Sequence, residues 1–328
     1  MPDARAAGGT RVSVVTPTLD RPDEVRALLD NLAGQRHLPH ELVLVDAAPP
    51  GDDATEAVVA ERRERLPFRV TYIRHGGGTA VQRNVGIDAA EGDFIAFIDD
   101  DVRLEPSFLE EILGVFAADA GGTVAAVAGY ITNQHLDPAT SPRWRWYRRL
   151  RLFTVYEPGR FDYGTGYPIN RYLQPPHDGV REIDFMGTNC AVWRRAPFDR
   201  GLRLSPFFTD YGVAEDAHLA LTARRQGWRI VELGRARCVH LHSPRGRASQ
   251  RRVARKTAVN YRFLFVDIVP RRTAGQELRF WRVQFVDLVR QAAYALRIGG
   301  RDDWSAVLGK MEGMLAATRV RPGDVAPP

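Results

Sequence analysis

Cysteine, long apolar runs and an apolar N-terminal segment are scarce or missing in this 328-residue sequence. Cys190 and Cys238 are its only cysteines, and their number and spacing fit neither a disulfide framework nor a metal-binding cysteine motif. The first ten residues lack the apolar core of a signal peptide, and no later stretch approaches the length needed to span a bilayer. We therefore expect a cytoplasmic protein that neither crosses a membrane nor leaves the cell by the usual route.

Composition also excludes wholesale disorder, because 44% hydrophobic and 26% charged residues are typical of a globular protein. The net charge of +6 is unevenly distributed: residues 245–328 contain 17 Lys or Arg and 7 Asp or Glu, a net of +10, which leaves −4 for the rest. A basic segment of this kind suggests an anionic partner, either nucleic acid or a lipid surface. We expect no nucleic acid, because the segment has no recognisable nucleic-acid-binding motif.

Short apolar runs alternate with helical patterns in the first part of the chain. Val12–Val15, Leu42–Val45 and Arg69–Ile73 are typical of strands, and amphipathic segments separate them. We expect Pro17 to end the first strand. The order predicts an α/β fold with a mostly parallel sheet, right-handed crossovers and flanking helices.

Polar segments follow these strands at the carboxyl ends, where parallel sheets bind ligands. They are Thr16–Thr18, Asp46, Arg74–Gly78 and Asp99–Asp101. The last follows the apolar run Ile95–Ile98, and its three consecutive carboxylates repel one another and lose hydration near a core. A positive partner is therefore expected. Mg²⁺ or Mn²⁺, which prefer oxygen ligands, is the candidate, and a solvated acidic turn is the alternative.

A glycine-rich loop, His75–Gly78, precedes a predicted helix over Thr79–Ala90. Backbone N–H groups of such a loop can approach a phosphate, although a triple glycine is more often only a turn. Arg83 and Asn84 lie in the first turns of this helix. An arginine there can reach a phosphate or hold a carboxylate of the acidic cluster, and a surface side chain is the alternative.

Residues 133–182 lack clear periodicity and are rich in Pro, Gly, Arg and aromatic residues. Their segment Trp144–Arg149 interleaves cations with aromatic rings. Such a segment could stack on sugar rings, lie at a membrane interface, or form a helix whose aromatic residues pack inward. A stretch this long is often a binding region or lid.

Two polar pairs complete the set of candidate residues. Glu215 and Asp216 open a predicted helix, where acids also stabilise the positive helix end without any catalytic role. His240 and His242 end a predicted strand and point the same way. They could complete a metal site or lie on an exposed face.

The order of these segments resembles the family 2 glycosyltransferases, whose catalytic domain has the GT-A fold. It runs Thr-Pro-Thr, Asp after the second strand, Gly-Gly-Gly before Arg-Asn-x-Gly, Asp-Asp-Asp, Gly-Thr-Asn before Arg-Arg, Glu-Asp-Ala and His-x-His. The resemblance covers residues 11–244. It implies inverting transfer of a sugar from a nucleotide-diphosphate donor, with UDP- or dTDP-sugars favoured and a bound Mg²⁺ or Mn²⁺. The acceptor would be a glycan, a lipid-linked molecule or a small molecule.

The resemblance also assigns roles to individual residues. Asp99 and Asp101 match the family's metal-binding acids, and either His240 or His242 matches a histidine near the metal or diphosphate. Asp216 matches the general base, with Glu215 beside it as the other candidate catalytic residue. The candidate donor-site residues are Thr16, Pro17, Thr18, Asp46 (at the base), Gly78, Arg83 (near the diphosphate), Asn84, Asp99 (at the ribose), Asp100, Gly187 and Asn189.

Two positions depart from the family pattern. Ala47 and Ala48 follow Asp46 where small polar or acidic residues are common, which leaves the contacts beside the base open. His218 stands where many members carry another acid, which leaves the acceptor side open. A catalytically inactive binding scaffold and a sugar-phosphate nucleotidyltransferase are the alternative functions, although Thr16–Leu19 is unlike the basic glycine-rich loop of the latter.

The chain divides into a flexible N-terminus (1–10), a catalytic domain (11–244, with donor half 11–130 and acceptor half 131–244) and a basic helical C-terminal region (245–328). An apolar stripe at helical spacing occurs in the last region, with arginines off it. Its members are Trp281, Phe285, Leu288, Val289, Ala292 and Leu296. The stripe could lie on an anionic membrane face, placing the enzyme at the inner side of the membrane, or pack against the catalytic domain or a second subunit of a homodimer.

Overall fold

Helices and strands alternate in the computed structural model, which describes residues 9–209, 212–243 and 248–327. The strands are β1 (Val12–Thr18), β2 (Glu41–Asp46), β3 (Arg69–Arg74), β4 (Phe94–Ile98), β5 (Val102–Leu104), β6 (Val124–Ile131), β7 (Phe161–Asp162), β8 (Tyr167–Pro168), β9 (Val180–Ile183), β10 (Cys190–Arg194) and β11 (Arg229–His240). The helices are α1 (Pro22–Ala33), α2 (Ala54–Arg62), α3 (Thr79–Ala89), α4 (Phe108–Ala118), α5 (Pro142–Arg149), α6 (Ala196–Asp199), α7 (Glu215–Arg225), α8 (Gln250–Ile268), α9 (Ala274–Arg297) and α10 (Arg301–Ala317). Most of the predicted flexible N-terminus, residues 1–8, and the predicted domain boundary at 244–245 lie outside the described residues.

The central sheet has the order β3-β2-β1-β4-β10-β6-β11-β5, with β9 paired to β11. The first four strands of this order are mutually parallel, whereas β10 runs antiparallel to both β4 and β6. The α/β fold is therefore confirmed, and its parallel half is the one that the early strand–helix alternation predicts. Helices pack on both faces of the sheet around two large apolar clusters.

The first strand runs past the proline that was expected to end it. Pro17 pairs with Val45 of β2, and β1 continues to Thr18. On its other side β1 pairs with β4 only as far as Val15. At Pro17 the strand therefore has a neighbour on one side only, and the missing N–H removes no bond from the sheet.

The region without clear periodicity contains short elements held by an aromatic cluster. In α5 the side chains of Trp144 and Tyr147 are buried, whereas Trp146 is exposed. The buried rings contact Phe153 with centroid distances of 5.9 and 5.3 Å. The alternative that the aromatic residues of this helix pack inward therefore holds for Trp144 and Tyr147 but not for Trp146.

The C-terminal helices pack on the sheet domain through α8, whose Val259, Phe263 and Val266 belong to the same apolar cluster as the sheet. Helix α10 lies against α8, and α9 contacts α8 through stacking of Phe280 on Phe265. Across the described ranges, we find no helix that is both long enough and apolar enough to span a bilayer.

Candidate active site

A cavity of about 200 Å³ opens at the carboxyl ends of β1 and β4. Parallel strands bring these ends to one edge of the sheet, and the end of β11 and the loop after it also line the cavity. The residues lining this first cavity are Pro17, Arg21, Thr79, Arg83, Asp99, Asp100, Asp101, Gly212, Glu215, His240, His242 and Ser243. Of the four polar segments expected to converge at this edge, Asp99–Asp101 and, through Pro17, Thr16–Thr18 line the cavity, and the two histidines lie in its wall as well.

Each acid of the cluster has a positively charged or hydrogen-bonding partner. Asp100 is buried and accepts hydrogen bonds from Thr18 Oγ1 at 2.6 Å and Arg21 Nη1 at 2.7 Å. Burial nevertheless raises the pKa of Asp100 to about 6. Asp99 pairs with Arg83 at 2.8 Å. The expected positive compensation of the three carboxylates is therefore supplied in part by two arginines.

Asp101 is held by the end of β11 and by the loop after it. His240 Nε2 lies 3.1 Å from Asp101 Oδ1, and the Ser243 backbone N–H donates to Asp101 Oδ2 at 3.0 Å. Burial acts against ionisation, but these two contacts and the charge of Arg21 lower the pKa of Asp101 to about 2. Burial likewise opposes the charged form of His240, yet the hydrogen bond to Asp101 raises the pKa of the imidazole.

The two histidines occupy different positions. His240 contacts Asp101 directly, whereas His242 Nε2 lies 2.7 Å from Gln134 Nε2 and its ring lies on that of His240 with centroids 4.0 Å apart. His242 also has a left-handed backbone, with φ of 55°. His240 is therefore joined to the acidic cluster by a direct contact with Asp101.

The carboxylates offer a fit to a hard divalent cation. Among residues 9–209, 212–243 and 248–327, no three His, Cys, Asp or Glu side chains already form a metal-holding group. Asp99 and Asp101 nevertheless both line the first cavity with oxygen donors. Mg²⁺ and Mn²⁺ are commonly held by one or two protein carboxylates and complete their coordination with water and phosphate oxygens. The donor set thus suits such an ion.

A second cavity, of about 340 Å³, adjoins the first. The two share Arg83, Asp99, Gly212 and Glu215 in their walls. The other residues lining the second cavity are Tyr172, Gly187, Thr188, Asn189, Val213, Ala214 and Asp216. A molecule in one cavity would therefore meet a molecule in the other across Arg83 and Asp99.

Glu215 and Asp216, the first two residues of α7, have different surroundings. Ala214 adopts a left-handed backbone with φ of 69°, and α7 begins directly after it. Glu215 is buried and lies 3.2 Å from Arg83 Nη1 and 3.4 Å from Thr79 Oγ1. Asp216 is half-buried, and within the described residues its carboxylate accepts a hydrogen bond from the Ala217 backbone N–H at 2.7 Å. Glu215 is thus engaged in an ion pair, whereas Asp216 faces the second cavity.

The environment of Asp216 favours proton uptake. Burial, and then the neighbouring Glu215 carboxylate, raise the pKa of Asp216 to about 7, against the opposing charges of Arg83 and Arg171. A Cβ placed on Gly187 would lie 3.5 Å from Asp216 Oδ2 and only 2.7 Å from Asn189 Oδ1. A side chain at 187 would therefore clash with the Asn189 amide and lie in van der Waals contact with the Asp216 carboxylate.

Arg83 links the two cavities. Its side chain is buried rather than on the surface, and it pairs with Asp99 on one side and Glu215 on the other. Burial disfavours its charge, but the two carboxylates outweigh burial and raise the pKa of Arg83. Arg83 therefore remains a cation whose position is set by two acids.

The structure does not bring every candidate residue to these walls. Thr16 donates to the Ile98 carbonyl, and the Asn84 amide exchanges two hydrogen bonds with the Leu204 backbone. Asp46 is buried and accepts from the Ala48 N–H at 3.0 Å and the Tyr72 hydroxyl at 2.9 Å. Neither these residues nor Thr18 and Gly78 line the two cavities.

Three residues were not identified from the sequence. Arg21, which neutralises Asp100, precedes α1 without any distinguishing pattern. Tyr172 lines the second cavity from the region that lacks periodicity. Gln82 is buried and donates to the carbonyls of Thr18 and Val45, so it joins the ends of β1 and β2. In the sequence, only its position next to Arg83 could have indicated a role for Gln82.

Comparison with known proteins defines the family. Residues 13–174 match Glycosyl transferase family 2. The uncharacterized glycosyltransferase YwdF of Bacillus subtilis is 30% identical over 238 residues, which are 68% of this chain and 83% of that protein. An uncharacterized glycosyltransferase of Haemophilus influenzae is 35% identical over 104 residues, but these span 32% of this chain and only 34% of the relative.

A solved structure shares the fold. The mannosyltransferase PcManGT from Pyrobaculum calidifontis, in complex with GDP-Man and Mn²⁺, is 18% identical, with a TM-score of 0.57 over 94% of this chain and 87% of that one. The fold is thus the GT-A fold, as the resemblance implied. The chain belongs to glycosyl transferase family 2, and the prediction that it is a glycosyltransferase enzyme is confirmed.

Proposed function

We propose that this protein transfers a sugar from a nucleotide-diphosphate donor to an acceptor hydroxyl by direct displacement, with inversion at the anomeric carbon. One observation carries the proposal: the two cavities meet at Arg83 and Asp99, with the acidic cluster on one side and Asp216 on the other. Displacement needs a base on the attacking hydroxyl and positive charge at the leaving diphosphate, on opposite sides of the sugar.

The first cavity would hold the donor diphosphate. Arg83 lies in its wall as a cation fixed by Asp99 and Glu215, and Arg21 lies beside Asp100. Fixed positive groups stabilise charge that develops on a leaving group without further reorganisation. A Mg²⁺ or Mn²⁺ ion held by Asp99 and Asp101 would add positive charge there. The presence of GDP-Man and Mn²⁺ in the Pyrobaculum mannosyltransferase agrees with this role.

The second cavity would hold the acceptor, with Asp216 as the general base. A pKa of about 7 lets this carboxylate lose its proton near neutral pH and still accept one from a hydroxyl as the new bond forms. Glu215 is the weaker candidate, because it already pairs with Arg83. We assign it the task of positioning Arg83.

The finer predictions concern the substrates and location. UDP- or dTDP-sugars as donors, and a glycan, a lipid-linked molecule or a small molecule as acceptor, stay predictions, as does a cytoplasmic location. The nucleotidyltransferase alternative is wrong, because the family is that of glycosyltransferases. A catalytically inactive scaffold, the other alternative, disagrees with membership of an enzyme family, and a turnover assay tests it directly.

A panel of nucleotide sugars, scored by release of nucleoside diphosphate with Mn²⁺ or with chelator, tests the proposal. We expect one donor class to be consumed in the presence of Mn²⁺ and also to raise the Tm of the protein. Donor binding without turnover under any acceptor condition would favour the inactive scaffold. Absence of both binding and turnover across the panel would contradict the proposal.

A further inference from the structure

Helices α9 and α10 expose apolar side chains that the catalytic site does not use. Phe285 is 60% exposed and Leu296 is 75% exposed. We call the exposed apolar residues that share one side of each helix the outer hairpin face; Tyr294 of α9, 51% exposed, lies off it. Its members are Leu278, Phe285, Val289 and Leu296 of α9 and Trp304, Leu308, Met311 and Leu315 of α10.

The spacing of these residues places them on one side of each helix. In α9 they recur after seven, four and seven residues, and in α10 after four, three and four residues, which is helical periodicity. The stripe expected at Trp281, Phe285, Leu288, Val289, Ala292 and Leu296 is therefore present, and three of its members, Phe285, Val289 and Leu296, are exposed. Packing of the whole stripe against the catalytic domain is thus wrong.

The opposite sides of both helices are occupied by the protein. Asp287 of α9 accepts a 2.7 Å hydrogen bond from Tyr147 of α5. Lys310 of α10 donates to Gln284 of α9 at 2.6 Å. Gly309 of α10 lies so close to the backbone of α8 that a Cβ there would meet the Arg251 carbonyl. The outer hairpin face therefore points away from α8 and the sheet.

Exposed arginines accompany this face. Arg279 and Arg297 lie on α9, off the apolar stripe, and Arg145 and Arg149 lie on α5. The end of α5 is fixed next to α9, because Arg282 donates to the Leu150 carbonyl. Within the described ranges, the four exposed arginines, Arg279, Arg297, Arg145 and Arg149, have no ion pair with an acidic side chain. The arginines and the exposed Trp146 thus border the α9 side of the outer hairpin face with positive charge.

We propose that the outer hairpin face, together with the exposed side of α5, docks on an anionic lipid surface. Its apolar side chains would enter the boundary between headgroups and acyl chains, and its arginines would lie at the level of the lipid phosphates. Trp146 and Trp304 suit this boundary, because an indole ring combines an apolar body with a polar N–H. The docking does not depend on the chemistry of the two cavities.

A second copy of the chain fits this face less well. In a two-fold interface each surface meets itself, so the arginines around the apolar stripes of one copy would approach those of the other. The exposed acids of this hairpin, such as Asp302, lie on α10, whereas the four arginines lie on α9 and α5, where like charges would meet and oppose association. Lipid phosphates, in contrast, complement the same arginines. Charge complementarity therefore favours the membrane over a homodimer.

Vesicle co-sedimentation of the full chain tests the proposal. We expect binding at low salt to vesicles that contain phosphatidylglycerol, about tenfold or more above binding to pure phosphatidylcholine vesicles, and a decrease as salt rises. Two double variants should each lower binding to anionic vesicles by about tenfold: Arg279→Glu with Arg297→Glu, and Phe285→Ser with Leu296→Ser. All four positions are exposed, so Tm should change little.

Matched controls use exposed residues outside α5, α9 and α10. Arg63→Glu with Arg65→Glu changes charge by the same amount, and Leu38→Ser removes an apolar side chain that is 41% exposed. Both should bind anionic vesicles like the unchanged protein. Equal loss in these controls, equal binding to neutral vesicles, or no binding at low salt would overturn the proposal. A dimer in light scattering that the Phe285 and Leu296 changes dissociate, without vesicle binding, would assign the face to a second copy.

Discussion

Asp101 in the first cavity and Asp216 in the second lie in opposite electrostatic settings. In the first, Asp101 has a pKa lowered to about 2 because His240 and the Ser243 N–H hold its charged form. In the second, Asp216 has a pKa raised to about 7 by burial and by Glu215. The two side chains belong to one residue type, so the difference lies entirely in their surroundings.

This difference separates a charge-holding site from a proton-accepting site. A carboxylate that stays ionised at every physiological pH suits binding of a cation. A carboxylate whose pKa is near neutrality suits proton transfer. Arg83 stands between them and keeps its charge through Asp99 and Glu215. The same fold thus places binding and proton transfer side by side.

The largest expected effect follows from replacing the proton acceptor. Asp216→Asn should lower kcat by about a thousandfold or more, because the group is needed in the transition state, while the donor Kd changes little. Glu215→Gln is the matched control next to it and should retain more activity. Steady-state kinetics and donor titration give both quantities. Equal kcat in Asp216→Asn and the unchanged protein would remove Asp216 from the chemistry.

Replacing Asp101, the charge-holding carboxylate, by Asn should affect donor binding rather than proton transfer. Asp101→Asn should reduce Mn²⁺-dependent donor binding by about a hundredfold with a fall in stability, whereas Asp216→Asn should leave binding intact. Asp93→Asn, an exposed acid paired with Arg11, is the control and should leave both unchanged. Calorimetric donor titration with Mn²⁺ and with chelator measures the effect. Metal-independent binding of normal affinity in Asp101→Asn would contradict the metal assignment.

The stability changes of these two variants should have opposite signs. The folded-state pKa of Asp101 is below its unfolded value of about 4, so its charged form stabilises the fold above pH 4, and this stability is lost as pH falls towards 2. Asp101→Asn should therefore lower the free energy of unfolding at pH 7 by about 2 kcal/mol. The folded-state pKa of Asp216 is raised, so its stability contribution is present below pH 4 and lost as pH rises through 7. Asp216→Asn should then be more stable than the unchanged protein at pH 8 and equal to it at pH 4. Denaturant titrations at pH 4, 7 and 8 measure the free energy of unfolding of each variant. A change of the same sign in both variants would contradict the electrostatic difference between the two sites.

The sequence located the charge-holding site better than its partners. Asp99–Asp101 could be predicted because an apolar strand ending in carboxylates is a local pattern, and carboxyl ends of parallel strands meet at one edge. Arg21 and Tyr172 could not, because only tertiary packing brings them to the cavities. No periodicity distinguishes such residues from others on the surface.

The same limit applies to the remainder of the fold. Four parallel strands were predictable from local alternation, whereas β10, which runs antiparallel between β4 and β6, joins the sheet from a distant part of the sequence. The prediction that β1 ends at Pro17 was wrong, because a proline interrupts a strand only where its N–H would bond to a neighbouring strand. The roles that the resemblance gave to Asp46 and Asn84 stay predictions, since their side chains bond within the protein.

The pH dependence of turnover measures how Glu215 sets the proton affinity of its neighbour. We expect kcat to rise with pH to a plateau with a midpoint near 7, because Asp216 must be deprotonated to act as a base. In Glu215→Gln the midpoint should shift to lower pH, since a repelling charge is removed and Arg83 is left less neutralised. A midpoint that stays at 7 in this variant, or a falling kcat over the same range, would contradict the assignment.

The smallest effect should distinguish the two histidines of the first cavity. His240→Ala removes the 3.1 Å contact with Asp101 and should weaken Mn²⁺-dependent donor binding by about tenfold, as expected when a group that orients a metal ligand is lost. His242→Ala removes a ring 4.0 Å from that of His240 whose Nε2 lies next to Gln134, so donor affinity should change less. Both variants keep Asp99 and Asp101, and donor titration at fixed Mn²⁺ compares them directly. A larger loss in His242→Ala than in His240→Ala would move the metal-side role to His242, and no loss in either would leave the acids alone to hold the charge.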